Sequence, residues 1–279
     1  MKLGDVQRRA VAQLFEHGIT SAARDVRALI AHAIGISPDR VIFEQDRDLS
    51  SGQISVFNQM IKERCECKPV SRILGYREFW GRRFEISDDV LDPRGDTETL
   101  VHHALQHNFS TVLDLGTGSG AIVVSLLAER PLSRGVATDI SEQALEVARC
   151  NACNLGVSAR VTFSLSNWFE ALVGKFDLIV SNPPYIDAAE LNDLARDVTD
   201  YDPHIALSPG EDGLAPYRII AQEAGGFLSP QGGVIVEIGH TQGPQVRDMF
   251  KLAGFRDVKI IQDLDGKDRV VSAFGLETI

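Results

Sequence analysis

From Thr111 onward the chain alternates short apolar runs with stretches of helical length, and this alternation restricts the fold more than any other feature. The strand-like runs are Thr111–Leu115, Gly135–Asp139, Arg160–Ser164, Phe176–Ser181, Gly233–Ile238, Lys259–Gln262 and Arg269–Phe274. Strands joined through intervening helices run parallel, so the pattern predicts an α/β fold with a largely parallel, doubly wound sheet. Ligands of such sheets sit at the carboxyl ends of the strands, and the search for chemistry starts there.

The first 70 residues read differently. Val6, Ala10, Val11, Leu14 and Phe15 form one apolar stripe at helical spacing, and Val26, Leu29, Ile30, Ala33 and Ile34 form another. Gly18 and Gly35 stand where helices stop, and Ser50 with Gln53 makes a capping box for a helix bearing Ile54, Phe57 and Ile61. A small helical bundle is expected. Between the two regions, Gly75–Gly81 is aromatic and glycine-bounded. With Arg83–Ile86 it predicts a β-hairpin, after which Asp96 is expected to cap a helix through about Asn108.

Bulk properties narrow the class. The 279 residues are 44% hydrophobic and 24% charged, an ordinary globular composition. A net charge of −11 argues against a protein that holds nucleic acid chiefly through phosphate contacts. No apolar run approaches a membrane span, and the opening Met1-Lys2-Leu3-Gly4 does not read as a signal peptide, so a cytoplasmic protein is expected. Cys150 and Cys153 have ligand-like spacing, but Cys65 and Cys67 do not complete a standard metal knuckle. No histidine lies near either pair in sequence, so reduced thiols and no metal are expected.

Asp114-Leu115-Gly116-Thr117-Gly118-Ser119-Gly120 closes the first strand of the alternating region and opens a helix. Glycines there admit positive φ and let a ligand approach the backbone beside a helix amino terminus. Asp139 ends the next strand, where its carboxylate suits the two hydroxyls of a ribose; capping the helix near Ser141 is the plainer alternative. The loop alone also permits a nicotinamide dinucleotide. Asp114 favours another ligand, because an acid beside the first glycine repels a pyrophosphate and suits an amine and a sulfonium. S-adenosylmethionine has both. Asn167-Trp168 follows the third strand and fits either an adenine wall or plain core.

Asn182-Pro183-Pro184-Tyr185 follows the run Phe176–Ser181. Successive prolines end the sheet ladder and leave carbonyl oxygens free. The corner suits a planar –NH2 group, with Asn182 and the Pro183 carbonyl accepting its hydrogens while Tyr185 covers the plane.

Together these residues resemble the protein-(glutamine) methyltransferases that modify peptide chain release factors, over essentially the whole chain. The resemblance includes Pro69-Val70 with Ile73-Leu74-Gly75, Glu78–Gly81, Pro93-Arg94 with Asp96-Thr97-Glu98, the glycine loop and Asn182–Tyr185. It continues through Ala206-Leu207, Asp212-Gly213-Leu214, Glu237-Ile238-Gly239, Gln242 and Asp268-Arg269-Val270. It implies a Rossmann-like S-adenosylmethionine-dependent methyltransferase domain over 96–279, a β-hairpin linker over 71–95 and a helical substrate-recognition domain over 1–70. It also implies methyl transfer to the glutamine of a Gly-Gly-Gln loop, with S-adenosylhomocysteine as product.

Implied cofactor contacts fall on Gly116, Thr117, Gly118, Ser119, Gly120, Asp139, Trp168 and Asn182, and substrate contacts on Asn182, Pro183, Pro184 and Tyr185. Asn182 and Pro183 carry the catalytic grip. The expected partner is a release factor, met by a monomer without direct nucleic-acid or membrane contact. Asp92, Gly95 and Asn167 depart from the family's usual residues. Enzymes that methylate the exocyclic amine of adenine share Asn-Pro-Pro-Tyr and form the alternative; the hairpin and helical region favour the release-factor reading.

Overall fold

Apolar stripes on the amino-terminal helices can leave water only by packing on one another, and they do. In a computed structural model describing residues 1–277, α1 (Leu3–Glu16), α2 (Ala22–Ile34), α3 (Ser51–Cys65) and α4 (Val70–Leu74) enclose one core. Leu3, Leu14, Val26, Leu29, Ile30, Phe57 and Ile61 are its buried centre. The Ser50/Gln53 capping box forms, and Gly35 ends α2 in the left-handed conformation, with φ of 72°. Phe15 departs from its stripe: it is 71% exposed, one position beyond the face that Leu14 buries. Inside this bundle Asp25 and Arg64 form a buried pair at 2.9 Å. The bundle, residues 1–76, also takes in 195–201, where Tyr201 donates its hydroxyl to the Glu66 carbonyl.

The second unit begins at Arg77, runs to Leu194 and resumes at Asp202. Strands β1 (Tyr76–Phe79) and β2 (Arg82–Glu85) form a hairpin whose two turn residues, Trp80 and Gly81, both have positive φ. Such a turn matches the right-handed twist of the strands. Trp80 N–H donates to Glu98 Oε1 at 2.7 Å, and Asn151 brackets Glu85 by accepting from its N–H and donating to its carbonyl. The hairpin is thus bound into this unit by polar side chains as well as by Phe79 and Phe84, which are fully buried.

A seven-stranded sheet follows, in spatial order β5-β4-β3-β6-β7-β9-β8. Its strands are β3 (Thr111–Leu115), β4 (Arg134–Asp139), β5 (Val161–Leu165), β6 (Phe176–Ser181), β7 (Leu228–Glu237), β8 (Phe255–Gln262) and β9 (Asp268–Leu276). Pairings among β5, β4, β3, β6 and β7 are parallel, whereas β7–β9 and β8–β9 are antiparallel. Helices α5 (Glu98–Ala104), α6 (Ala121–Glu129), α7 (Glu142–Asn154), α10 (Ala215–Glu223) and α11 (Gly243–Leu252) accompany it. Two short turns of helix, α8 (Arg196–Thr199) and α9 (His204–Leu207), lie between β6 and α10 in the chain. Two apolar clusters, one holding Val123 and Leu126 of α6 and the other Tyr217 and Ile220 of α10, bury its two faces. The strand order changes direction between β3 and β6, so their carboxyl ends flank the crevice.

Three expectations need correction. Asp96 caps no helix: a turn of 3₁₀-helix over Gly95–Thr97 precedes α5, which ends at Ala104, and Asp96 instead pairs with Arg269 at 3.0 Å. Strand β7 starts at Leu228, because a register shift between Phe176 and Leu178 lets Ser229–Gly232 bulge and so tolerates Pro230. Strand β8 starts at Phe255. Its charged residues Arg256, Asp257 and Lys259 line an exposed edge, which masks the apolar alternation.

Candidate active site

A cavity of about 370 Å³ opens at the carboxyl ends of β3, β4 and β6. That volume lies within the range of small-molecule sites. Its walls include Gly116, Thr117, Gly118 and Ser119 of the glycine loop, Asp139, Asn167-Trp168, and Asn182 with Pro184. The expected site residues Gly120, Pro183 and Tyr185 are not on its lining. Pro93, Arg94, Thr97, Ile140, Ser141, Ile205 and Ala206 complete much of the wall.

The glycine loop follows from three left-handed residues, Gly116, Gly118 and Gly120, with φ of 68°, 54° and 79°. A Cβ on Gly116 or Gly118 would meet nothing within 4 Å, so these residues need glycine for backbone conformation and leave the backbone bare toward open space. At Gly120 a Cβ would come within 3.2 Å of Ala148 Cβ, so this glycine lets the start of α6 approach α7. Thr117 N–H donates to the Thr138 carbonyl at 2.8 Å, which ties the loop to the end of β4.

Two acids hold the loop. Asp139 Oδ2 accepts from Gly118 N–H at 2.8 Å and its Oδ1 accepts from Ser141 N–H at 3.0 Å. The cap of α7 is Ser141 itself, whose hydroxyl accepts from Ala144 N–H, so Asp139 stays on the cavity wall. Burial pushes the Asp139 carboxyl up, against the pull of the Ser141, Gly118 and Ile140 backbone. Asp114 is fully buried beneath the loop and off the cavity lining. Its Oδ2 accepts from the Thr117 hydroxyl at 2.7 Å and from Val123 N–H at 3.3 Å, while Oδ1 has no partner among the described residues. Burial pushes Asp114 up to about 7.

Bare glycine backbone beside a wall carboxylate fits an adenosyl ligand. Trp168, with φ of 51°, serves both as wall and as packing against the cluster beneath α10. Asn167 donates to Glu170 Oε1 at 2.9 Å. Asp92 is buried and lies 3.8 Å from the Arg77 guanidinium, while its neighbours Leu91, Pro93 and Arg94 face the cavity.

The corner after β6 is braced from several sides. Its last ladder residue, Ser181, pairs with Leu115 on one side and Val236 on the other. Gln242 donates its side-chain N–H to the Tyr185 carbonyl at 2.9 Å and accepts from Gly239 N–H at 3.0 Å. Gly213, at φ of 69°, backs onto the same carbonyl, where a Cβ would sit 2.3 Å from the oxygen. Ile186 N–H donates to the Leu207 carbonyl at 3.0 Å, and the Ser208 hydroxyl donates to the Ile186 carbonyl. The Asp212–Leu214, Glu237–Gly239, Gln242 and Ala206-Leu207 motifs therefore support the corner. Asn182 donates its Nδ2 to Thr97 Oγ1 at 3.2 Å, which leaves Oδ1 as the acceptor end of its amide. Thr97 was visible in the sequence only as part of a motif, with no periodicity to assign it a role.

Among the described residues no group of three or more His, Cys, Asp or Glu side chains is placed to hold a metal ion. The four cysteines are free thiols, and among the described residues no helix is long and apolar enough to cross a membrane.

The Asp114 carboxyl binds its proton more tightly in the fold than in the unfolded chain. The apo protein therefore loses stability as pH rises from about 4 to about 7, by up to about 1.4 kcal/mol per pH unit for this one group. Asp114→Asn should flatten that dependence, gaining on the parent with rising pH until the gain levels off above about pH 7. Urea unfolding from pH 5 to 8 checks it; parallel curves for the two proteins would show that the burial of this acid carries no such cost.

Comparison with known proteins agrees with this geometry. Residues 5–75 match the family model described as PrmC N-terminal domain, and residues 86–199 match the Methyltransferase small domain. The release factor glutamine methyltransferase of Cereibacter sphaeroides is 48% identical, over 98% of this chain and 98% of that one. Its namesake from Rhodospirillum rubrum is 40% identical over 97% of this chain and 84% of that one, and one from Agrobacterium fabrum is 41% identical over 91% of each. Among solved structures, a methyltransferase from Pyrococcus furiosus shares the fold, with a TM-score of 0.53 at 20% identity over 68% of this chain and 87% of that one. With likeness to the relatives running through both the helical bundle and the braced corner, the chain belongs to the release factor glutamine methyltransferase family.

Proposed function

We propose that this protein transfers the methyl group of S-adenosylmethionine to the side-chain amide nitrogen of the glutamine in the Gly-Gly-Gln loop of peptide chain release factors. The observation that carries the proposal is a single cavity bounded by the glycine loop and Asp139 on one side and by Asn182 and Pro184 on another. The relatives' shared name supports the acceptor.

In this reading the backbone of Gly116–Gly120 and the Asp139 carboxylate hold the adenosyl group, and Trp168 gives it a flat wall. Each Asp139 oxygen keeps a lone pair for a ribose hydroxyl beyond the backbone bond that it already accepts. The sulfonium of S-adenosylmethionine supplies the electrophilic methyl carbon. An amide nitrogen is a weak nucleophile because its lone pair is delocalised into the carbonyl. The protein's part is therefore orientation. Asn182 Oδ1 and the Pro183 carbonyl accept the two amide hydrogens, and Tyr185 braces the corner behind them. Alignment of this kind contributes on the order of 7–11 kcal/mol in favourable cases. The corner holds no strong base, so the proton leaves after methyl transfer; a large solvent isotope effect on single-turnover methylation would contradict that order.

The two halves of the site separate by mutation. Asp139→Ala should weaken S-adenosylmethionine binding in a folded protein, read by calorimetry. Asn182→Ala should reduce methyl transfer far more than cofactor affinity, because its alignment is realised chiefly in the transition state. Unchanged affinity in the first variant, or near-parent turnover in the second, would overturn the corresponding assignment.

The helical bundle acts in this reading as the recognition module for intact release factor. It carries large apolar side chains in water, with Phe43 86% and Ile42 70% exposed. Truncation is a poor test, because residues 195–201 belong to the bundle. Phe43→Asp should instead raise KM for the release factor by roughly tenfold, as for a central interface residue, with cofactor affinity unchanged. An unchanged KM from Phe43→Asp and Ile42→Asp together would remove this surface from recognition.

A further inference from the structure

The proposed reaction leaves one buried acid beside the corner without a task. Glu237 ends β7, next to β6 in register, where Val236 pairs with Ser181; Glu237 therefore stands beside Asn182. It is 1% exposed. Oε1 accepts from the Tyr185 hydroxyl at 3.3 Å, while Oε2 is buried with no hydrogen-bond partner among the described residues. The Thr97 hydroxyl lies close enough to the carboxyl to lower its pKa. An acid here is costly to bury, and an apolar residue would fill the space without that cost.

Its neighbours explain what it does. An amide –NH2 only donates, so Thr97 Oγ1 must accept from Asn182 Nδ2, and the Thr97 hydrogen is then free to donate elsewhere. The unpartnered Glu237 Oε2 is the buried acceptor nearest in kind, and we assign that hydrogen to it. A carboxylate cannot donate back to Thr97, so the chain of polarity runs one way, from Asn182 Nδ2 to Thr97 to Glu237. Turning the Asn182 amide over would set its Oδ1 against a threonine oxygen whose hydrogen is engaged elsewhere. The same carboxylate also holds the hydroxyl of Tyr185 at the other end of the corner.

We infer that Glu237 is a positioning residue, which through Thr97 and Tyr185 fixes the Asn182 amide with Oδ1 toward the acceptor and Nδ2 away from it. This inference rests on the proposed grip on a planar amide. It touches neither methyl donor nor acceptor; its effect passes through the two residues it orients.

Protonation tests the same chain. Burial pushes the Glu237 carboxyl up to about 7, opposed by the Thr97 hydroxyl and the Arg269 guanidinium, while Asp96 adds to the rise. The ionisable groups around it come from every element packed there. Asp96 precedes α5 and Tyr185 follows β6. Tyr217 of α10 donates to the Glu237 carbonyl at 2.8 Å, and Arg269 of β9 also pairs with Asp96 and Asp263. Above about pH 7 the ionised carboxylate accepts from both hydroxyls. Below it the protonated acid carries a donor of its own and the one-way chain is lost, so turnover should fall as pH drops through that value.

Glu237→Gln, Thr97→Val and the double variant, compared with the parent, decide the matter. In Glu237→Gln, kcat with release factor should drop about tenfold to a hundredfold, the scale of a small misalignment. S-adenosylmethionine affinity should hold, melting temperature should not fall, and the acidic limb of the kcat profile near pH 7 should flatten. Thr97→Val should cost a similar factor, and the double variant little more than either single one. A readout independent of the acceptor is the side-chain amide pair of Asn182 in NMR spectra, assigned through its loss in Asn182→Asp; it should shift in Glu237→Gln. A kcat within twofold of the parent, multiplying losses in the double variant, or an unmoved Asn182 amide would each overturn the role. If the parent fails to methylate release factor, the proposed function falls, and the amide resonances alone then decide the positioning role.

Discussion

Strand β6 cannot run past Ser181 as a ladder, because two prolines follow Asn182, and the rest of the site depends on how that break is held. A chain end freed from its ladder has several conformations open to it, each with carbonyls exposed to water. Here Gln242 bridges Tyr185 and Gly239, Gly213 leaves room for the Tyr185 carbonyl, and Ile186 is bonded to Leu207 and Ser208. Residues from three later segments thus converge on the corner and the residue after it. The prolines supply stiffness and these partners supply direction.

The other half of the cavity obeys a related rule. Three left-handed glycines make a loop with bare backbone, and such a loop would be loose without the Asp114 and Asp139 carboxylates beneath and beside it. Both halves therefore rest on a fully buried acid: Asp114 under the glycine loop and Glu237 behind the corner, each pushed up to about 7 by burial. Groups that cost stability in the apo fold and stand next to a binding cavity are the usual mark of a site arranged for function rather than for packing.

Much of this was legible in the sequence, for identifiable reasons. The runs at Thr111–Leu115 and Phe176–Ser181 are apolar throughout because those strands are central and covered on both faces, and the structure has β3 and β6 at those bounds. The glycine loop and Asp139 were legible because positive φ and a strand-ending acid are written in residue type. Edge strand β8 was cut short in the reading, since its exposed charges hide its alternation. Asp96 was misread as a cap because its true partner, Arg269, lies far away in sequence. Asp114 was read as facing the ligand, whereas it lies under the loop, bonded to Thr117 and Val123. Thr97 showed only as part of a motif, without a role, because a hydroxyl that turns one amide shows in neither periodicity nor charge.

The central claim is that the braced corner presents a glutamine amide to a methyl donor held on the glycine loop. The most direct test incubates the purified protein with labelled S-adenosylmethionine and, in separate reactions, intact release factor, release factor with the Gly-Gly-Gln glutamine replaced, and adenine-containing DNA and RNA. The account predicts one methyl group on that glutamine, located by peptide mass spectrometry, and none in the other reactions. Label incorporated into adenine, or into release factor lacking the glutamine, would contradict it.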